Sequence, residues 1–247
     1  MTAPETEASA ARLELRQLSK SFGGVFAVDN VDFALAPGAL HCVIGPNGCG
    51  KSTLVNLISG YLTPTSGDVF WRSRSLVGLA LHRVAAAGVV RKFQAPSVFA
   101  SMSVEDNLRA SLAAARKRAD RAAVEGLLAL VRLGPQRRQN AGELAHGQKQ
   151  WLELAMILAG DPQLLLLDEP VAGMTRPERF ETARLIAEVR AERGLSVLVI
   201  EHDMDFVEAL DCPVSVMMLG RILTTGPFAA VRQDARVREA YLGAAYG

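Results

Sequence analysis

The segment GPNGCGKST, residues 45–53, is the part of the sequence whose residue types and spacing most clearly suggest chemistry. It fits the pattern G-x-x-x-x-G-K-[S/T], in which glycines let a loop wrap so that successive backbone N–H groups face one centre. The apolar run ALHCVIG at 39–45 precedes it, and the helix-like KSTLVNLIS at 51–59 follows it. This order places a helix N-terminus beside the loop, which favours anion binding. The segment, called the phosphate loop below, therefore predicts a site for nucleotide phosphates.

Two side chains of the phosphate loop have predicted contacts of their own. Lys51 can reach the β- and γ-phosphates, and the Ser52 hydroxyl can ligate Mg²⁺. An ordinary glycine-rich turn is the alternative, and the flanking strand and helix argue against it. The residues predicted to bind the nucleotide here are Gly45, Pro46, Asn47, Gly48, Cys49, Gly50, Lys51, Ser52 and Thr53.

Two carboxylates, Asp168 and Glu169, follow the apolar run QLLLL at 163–167. Ligands of a parallel sheet gather at the carboxyl ends of its strands. Asp168 is therefore predicted to hold Mg²⁺, directly or through water. Glu169 is placed to take a proton from an attacking water. The alternative role of helix N-cap would suit one of these acids, but it does not explain the pair.

Three other side chains are candidates for the same site. His202 follows the apolar run LSVLVIE and is predicted to contact a γ-phosphate. Gln94 ends the strand-like GVVRKF, where its side-chain carbonyl could reach Mg²⁺ or the water. Phe22 could stack on an adenine, although an isolated phenylalanine is more often part of a core. His41 and His82 are assigned to a strand and a helix, with no role in the site.

The remaining pattern predicts the elements that must position these residues. LELRQL at 13–18 and VDFAL at 31–35 alternate as strands do, and residues 66–76 resemble a hairpin. Residues 104–133 are rich in Ala, Leu and Arg and predict two or three helices. From residue 163 onward strands and helices alternate, which predicts a parallel sheet covered by helices.

Composition narrows the class of protein. The chain has 247 residues, of which 49% are apolar, and its 27 basic and 26 acidic residues nearly cancel. That balance argues against a nucleic-acid-binding surface. Three unevenly spaced cysteines predict neither disulfides nor a zinc site, and favour a reducing compartment. No apolar run approaches the roughly 20 residues of a membrane-spanning helix, and the N-terminus does not resemble a signal peptide.

Together with LAHGQ at 144–148, called the signature segment below, these residues resemble the ATP-binding subunits of ABC transporters. The resemblance covers about residues 12–243 and consists of five ordered motifs: GPNGCGKST, Gln94, LAHGQ, LLLLDEP and His202. It implies an α/β fold of the P-loop NTPase, ABC type. A mostly parallel core sheet would be joined by an antiparallel β subdomain and an α-helical subdomain inserted at about 95–160. Residues 1–11 are predicted to be a flexible tail.

The resemblance implies ATP and Mg²⁺ as cofactors and a head-to-tail pair of subunits enclosing two ATP molecules. The helix N-terminus at the signature segment of one subunit would meet the γ-phosphate held by the other. Glu169 would be the general base, and His202 and Gln94 would complete the catalytic set. Ser52, Gln94 and Asp168 would face Mg²⁺. The signature residues expected to contact ATP are Leu144, Ala145, His146, Gly147 and Gln148.

The implied partners are a second ATP-binding subunit, either a related chain or a copy of this one, and integral membrane permease subunits. A substrate-binding protein would act indirectly, and nucleic acid would have no part. The chain would lie peripherally on the cytoplasmic face of the inner membrane, with the helical stretch 95–143 against the permease.

Shorter phrases suggest a subgroup. FGGVFAVDNVDF and VREAYLG are similar to the branched-chain amino-acid importers. RKFQAPSVF, HGQKQWLE and DEPVAGMT are similar to the ATP-binding subunits of urea importers. The phrases together favour urea as the transported molecule, with branched-chain amino acids as the alternative.

Four positions carry further expectations. The family's signature usually begins Leu-Ser-Gly-Gly-Gln, so Ala145 replaces a serine and His146 a glycine. Thr175 stands where the family usually has an aspartate, in the loop that crosses between subunits. Cys49 lies inside the phosphate loop, where N–H groups and Lys51 are expected to lower its thiol pKa and make it reactive.

Two other functions fit parts of the pattern. A soluble ABC-type ATPase acting on DNA or ribosomes would be expected to carry long coiled coils or two nucleotide domains, and neither is visible. A P-loop kinase would use Glu169 as base toward a small hydroxyl, but the signature segment and Gln94 have no role in that scheme.

Overall fold

The computed structural model describes residues 13–92 and 97–243, which form two sheets with helices on both sides of the larger one. The strands are β1 Leu13–Phe22, β2 Val25–Leu35, β3 Leu40–Ile44, β4 Ser66–Trp71, β5 Arg74–Ser75, β6 Val89–Lys92, β7 Leu164–Asp168, β8 Ser196–Glu201, β9 Pro213–Met218 and β10 Arg221–Pro227. The helices are α1 Lys51–Ile58, α2 Leu81–Ala86, α3 Val104–Ala114, α4 Arg121–Leu130, α5 His146–Leu158, α6 Arg176–Arg193, α7 Met204–Leu210, α8 Phe228–Val231 and α9 Ala235–Gly243.

The core sheet has the strand order β10-β9-β3-β8-β7-β6. Its strands run parallel except β10, which pairs antiparallel with β9. Ile44 pairs with Glu201, Asp168 with Ile200, and Lys92 with Leu167. This register brings the carboxyl ends of β3, β6, β7 and β8 to the same edge of the sheet, so the segments that follow these strands emerge side by side.

Alternation along the central strands divides the core in two. Leu165 and Leu167 face a cluster formed with the helices of residues 104–158 and with α6 and α7. Leu164 and Leu166 face a second cluster formed with α1 and the antiparallel sheet. A strand that buries both faces reads as a continuous apolar run rather than an alternating one, which explains the four consecutive leucines of β7.

The second sheet is antiparallel, with the order β2-β1-β4-β5. It meets the core sheet where Asp29 N donates to the Gly220 carbonyl over 2.8 Å, and where the Arg221 guanidinium lies 2.7 Å from the Asp29 carboxylate. The phosphate loop lies at this junction of the two sheets.

The predicted fold class is confirmed: a mostly parallel core sheet, an antiparallel sheet and a helical region between β6 and β7. The hairpin predicted at 66–76 is β4 and β5, and the stretch 104–133 contains two helices. The strand pattern did not predict β10 or its antiparallel direction. Within the described residues, no helix is both long enough and apolar enough to span a membrane.

Candidate functional site

The phosphate loop connects β3 directly to α1. Gly50 takes a left-handed conformation, φ 108°, immediately before the helix, and the first turn of α1 contains no acidic residue. The Lys51 side chain is buried and folds back over the loop, where its Nζ donates to the carbonyls of Gly45 over 2.7 Å and Pro46 over 3.0 Å. The helix dipole and the ammonium group therefore place positive charge at one end of the loop.

Two glycines of the loop lie so close to neighbouring backbone that no side chain would fit. A Cβ on Gly45 would collide with the carbonyl oxygen of Met217, and one on Gly50 with the carbonyl oxygen of Ala27. The Cys49 carbonyl accepts a hydrogen bond from Gly220 N over 3.0 Å. The loop is thus supported by backbone from both sheets, and its outer side, at Asn47, Gly48 and Ser52, is exposed.

Asp168 ends β7 as a buried carboxylate. Arg91 lies against this carboxylate, with its Nη2 2.7 Å from Oδ2, and its Nη1 donates to the side chain of Asn56 of α1. The other oxygen, Oδ1, is buried and accepts no hydrogen bond from the described residues. A buried carboxylate oxygen without a donor suits a cation or a water held by one, so Asp168, with the exposed Ser52 hydroxyl, fits the Mg²⁺ that the family resemblance implies.

Glu169 follows with a positive φ of 46°, and its N–H donates to the Ile200 carbonyl over 2.9 Å. This turn directs the carboxylate toward β8, where its Oε1 lies 3.4 Å from His202 Nδ1. Half of the His202 side chain is exposed. The predicted base and the predicted γ-phosphate contact therefore lie side by side beyond the carboxyl ends of β7 and β8.

Glu201 holds this pair in place from beneath. Its buried carboxylate accepts from the backbone N–H of His202 over 2.8 Å, of Asp203 over 3.2 Å and of Val171 over 3.4 Å. Burial raises the pKa of Glu201, while these N–H donors oppose the shift. One side chain thus fixes the backbone that carries His202 and the backbone that follows Glu169.

The signature segment lies at the start of α5 and contacts the loop after Glu169. His146 Nε2 lies 3.0 Å from the Ala172 carbonyl oxygen, so this nitrogen carries the proton. A Cβ on Gly147 would lie 2.9 Å from Glu178 Oε1. The Glu178 carboxylate also accepts from the Thr175 hydroxyl over 2.7 Å and from its N–H over 2.8 Å, and these donors lower the pKa of Glu178. His146 and Thr175, two of the three residues that depart from the family's usual motifs, therefore belong to one contact region.

The other predicted residues are placed as follows. Phe22 ends β1 half-exposed, with Lys20 Nζ 5.2 Å from its ring centroid, so it is not a core residue. Leu144 is buried, Ala145 and His146 are exposed, and Gln148 accepts through Oε1 from Ala145 N over 3.1 Å. Thr53 is half-buried in the first turn of α1. Gln94 and the predicted tail lie outside the described residues.

The expected lowering of the Cys49 pKa is wrong. The thiol is buried on the inner side of the loop, close enough that a Cβ on Gly45 would lie 2.7 Å from its Sγ. Burial raises the pKa of Cys49, and the proximity of Lys51, with Nζ 3.9 Å from the sulfur, only partly opposes this. The positive surroundings are visible in the motif, whereas the burial depends on packing within the core cluster formed with α1 and the antiparallel sheet.

Alkylation of Cys49 by iodoacetamide at pH 8 is therefore expected to be at least severalfold slower in the folded protein than in the same protein unfolded in urea. The reason is that only the thiolate reacts, and a raised pKa lowers its fraction. Mass spectrometry of the peptide containing Cys49 measures the rate, with Cys42 and Cys212, which are also buried, as internal references. Equal rates in the folded and unfolded protein would contradict the structure.

Sequence reasoning missed Arg91 and Glu201. Each is a charged residue that follows apolar residues in its strand, and the sequence shows this. Arg91 lies within the short strand VVRK, and Glu201 ends the strand SVLVIE. The sequence does not show which residues these two side chains contact. Arg91, for example, pairs with Asp168, which is 77 positions away in the chain.

Comparison with known proteins identifies the family. The family model for "ABC transporter" matches residues 28–172, and that for "Branched-chain amino acid ATP-binding cassette transporter" matches residues 221–247. LivG of Escherichia coli (strain K12), a high-affinity branched-chain amino acid transport ATP-binding protein, is 35% identical over 94% of this chain and 98% of its own. BraF of Pseudomonas aeruginosa has the same description, identity and coverage.

Solved structures give the same result. The ADP conformation of MJ1267, an ATP-binding cassette of an ABC transporter, superposes with a TM-score of 0.83 at 29% identity, over 94% of this chain and 99% of that one. The chain therefore belongs to the ABC transporter family, as an ATP-binding subunit and ATPase of the group that includes LivG and BraF.

Proposed function

We propose that this chain is the ATP-hydrolysing subunit of an importer for branched-chain amino acids. The observation that carries the substrate class is the match of residues 221–247 to the branched-chain amino acid model, together with end-to-end similarity to LivG and BraF. These comparisons do not support the urea assignment that the shorter phrases favoured. Urea remains a second candidate only because of RKFQAPSVF, HGQKQWLE and DEPVAGMT.

The proposed reaction uses the geometry described above. The phosphate-loop N–H groups and Lys51 would hold the β- and γ-phosphates, and Asp168 with Ser52 would hold Mg²⁺, which neutralises charge on the transferring phosphate when bound. Glu169 would take a proton from the attacking water, and His202, 3.4 Å away, would contact the γ-phosphate. Glu201 would hold the backbone at His202 and the backbone after Glu169 in fixed positions.

The signature segment would complete the site of a second ATP-binding subunit. Ala145 and His146 are exposed at the start of α5, which leaves this helix end accessible to a partner. The paired subunits would work on the cytoplasmic side of membrane permease subunits, with this chain attached peripherally. Sedimentation of this chain alone with ATP tests whether the second subunit can be a copy of it.

Replacing Ala145 with serine is expected to strengthen ATP-driven pairing. The hydroxyl would add a hydrogen bond to a charged phosphate, a contribution of about 1.5–3 kcal/mol. It would also cap α5, with about 1 kcal/mol of stability that does not depend on ATP. Sedimentation with and without ATP measures the first effect, and thermal unfolding without ATP measures the second. A higher melting temperature with unchanged ATP-dependent pairing would leave the partner contact unsupported.

Uptake in cells that lack this chain tests the substrate. Labelled leucine and labelled urea are supplied in parallel, and the cells receive either the wild-type chain or Glu169→Gln. Leucine uptake restored only by the wild type is the expected result. Restoration of urea uptake alone would select the second candidate, and restoration of neither would exclude both substrates.

A further inference from the structure

A buried cluster of polar and charged side chains lies next to the site and has no part in the reaction described so far. Lys92 is the last residue of β6, and Gln150 and Glu153 are one turn apart on α5. All three are at most 5% exposed. The cluster therefore joins the edge of the core sheet to the helix that begins at the signature segment.

Glu153 makes two contacts with its two carboxylate oxygens. Oε2 lies 2.9 Å from Lys92 Nζ, which also donates to Gln150 Oε1. Oε1 accepts a hydrogen bond from the backbone N–H of Ser97 over 3.1 Å. Lys92 is the last described residue of β6, and Ser97 is the next residue that the structure describes. The Glu153 carboxylate therefore connects both Lys92 and Ser97 to α5.

Stability alone is a weak reason for this arrangement. Placing two charges where their side chains are 4% and 6% exposed costs solvation, and burial accordingly lowers the pKa of Lys92 while Glu153 opposes the shift. Buried ion pairs of this kind can often be replaced by apolar residues without loss of stability. What apolar residues cannot reproduce is the directed bond to Ser97 and the fixed position of Lys92.

We propose that Glu153 is a positioning residue for ATP hydrolysis, which ties the carboxyl end of β6 and the chain at Ser97 to the helix that carries the signature segment. Helix α5 is a continuous element of 13 residues, and Glu153 lies two turns from its start. A displacement of the signature segment would therefore be passed to Lys92 and Ser97 through one side chain. This inference concerns the ATPase activity and is independent of the molecule transported.

Two double variants separate positioning from stability. Lys92→Met with Glu153→Met, the Met/Met variant, removes both charges, the bond from Lys92 to Gln150 and the bond from Ser97 to Glu153. Lys92→Met with Glu153→Gln, the Met/Gln variant, also removes both charges and the bond to Gln150, but it keeps an oxygen that can accept from Ser97. We expect the two variants to have similar melting temperatures, since both remove the charge pair as a unit and both remove the bond from Lys92 to Gln150.

The Met/Met variant is expected to lose about 10- to 100-fold in kcat, as small displacements near a reacting centre do, with KM for ATP little changed. The Met/Gln variant should retain more of the activity. Hydrogen exchange should rise in the peptides covering Ser97 and the start of α5 in the Met/Met variant only. The exposed pair Arg132–Glu188, 2.6 Å apart, provides the control, and replacing both residues with glutamine should leave kcat and exchange unchanged.

Wild-type kcat and exchange in the Met/Met variant would overturn the proposal and leave the cluster a structural one. A loss of kcat that follows the melting temperature equally in both double variants would overturn it as well. Neither result bears on the transported substrate, which the uptake experiment decides separately.

Discussion

Glu169→Gln is expected to lower the rate of ATP hydrolysis by about 10²- to 10⁴-fold, the usual contribution of a general base, while ATP still binds. The amide keeps the shape of the side chain, and the turn at Glu169 is held by its own N–H bonded to Ile200. What is lost is the negative charge that accepts the proton of the attacking water beside His202. Phosphate release and equilibrium ATP binding, measured on the same preparation, separate the two effects.

The matched control is Glu192→Gln on the exposed end of α6, which removes a carboxylate from the same protein without touching the site. It should hydrolyse ATP at the wild-type rate. If Glu169→Gln retained more than about a tenth of the wild-type rate, the proton would have another acceptor, because general-base effects are rarely so small.

Asp168→Asn is expected to lower hydrolysis by about 10²- to 10³-fold, the range found when one electrostatic contact to the reacting group is removed. The substitution keeps the shape of the residue and an oxygen that can accept from Arg91. It removes the charge of the buried carboxylate whose Oδ1 has no donor among the described residues. The dependence of the rate on Mg²⁺ concentration should shift to higher values, and ATP binding without Mg²⁺ should change little.

Two further measurements make this result specific. Asp161→Asn, in the exposed pair with Lys117, should leave both the rate and its Mg²⁺ dependence unchanged, because such surface pairs contribute little. Thermal unfolding of Asp168→Asn checks that the buried Arg91 contact survives. A variant that is folded and shows the Mg²⁺ dependence of the wild type would remove Asp168 from the proposed metal site.

Local patterns were enough to predict most of the fold because the elements near the site have strong local signals. Four leucines ended by Asp168 predicted β7, since a strand buried on both faces is continuously apolar. The strand, glycine loop and helix order predicted the phosphate loop in the same way. Placing Asp168, Glu169 and His202 at one edge needed only the rule that parallel strands end together.

The contacts that depend on tertiary packing could not be predicted. Arg91 of β6 pairs with Asp168 of the neighbouring strand β7, and Glu153 reaches Ser97 from helix α5, 56 positions along the chain. The pKa of Cys49 was also beyond prediction from the sequence. Its charged neighbours are visible in the motif, but the burial that raises its pKa comes from packing that no local pattern contains.

The backbone contacts behind the phosphate loop have a thermodynamic consequence. Met217 and Ala27 leave no room for side chains at Gly45 and Gly50, and Gly220 holds the Cys49 carbonyl, so the loop conformation is set by both sheets. The conformational entropy of ordering this backbone is therefore lost when the chain folds rather than when ATP arrives, which favours tight association with little structural rearrangement. By linkage, nucleotide bound there should raise the unfolding temperature of the two sheets together, as one cooperative unit.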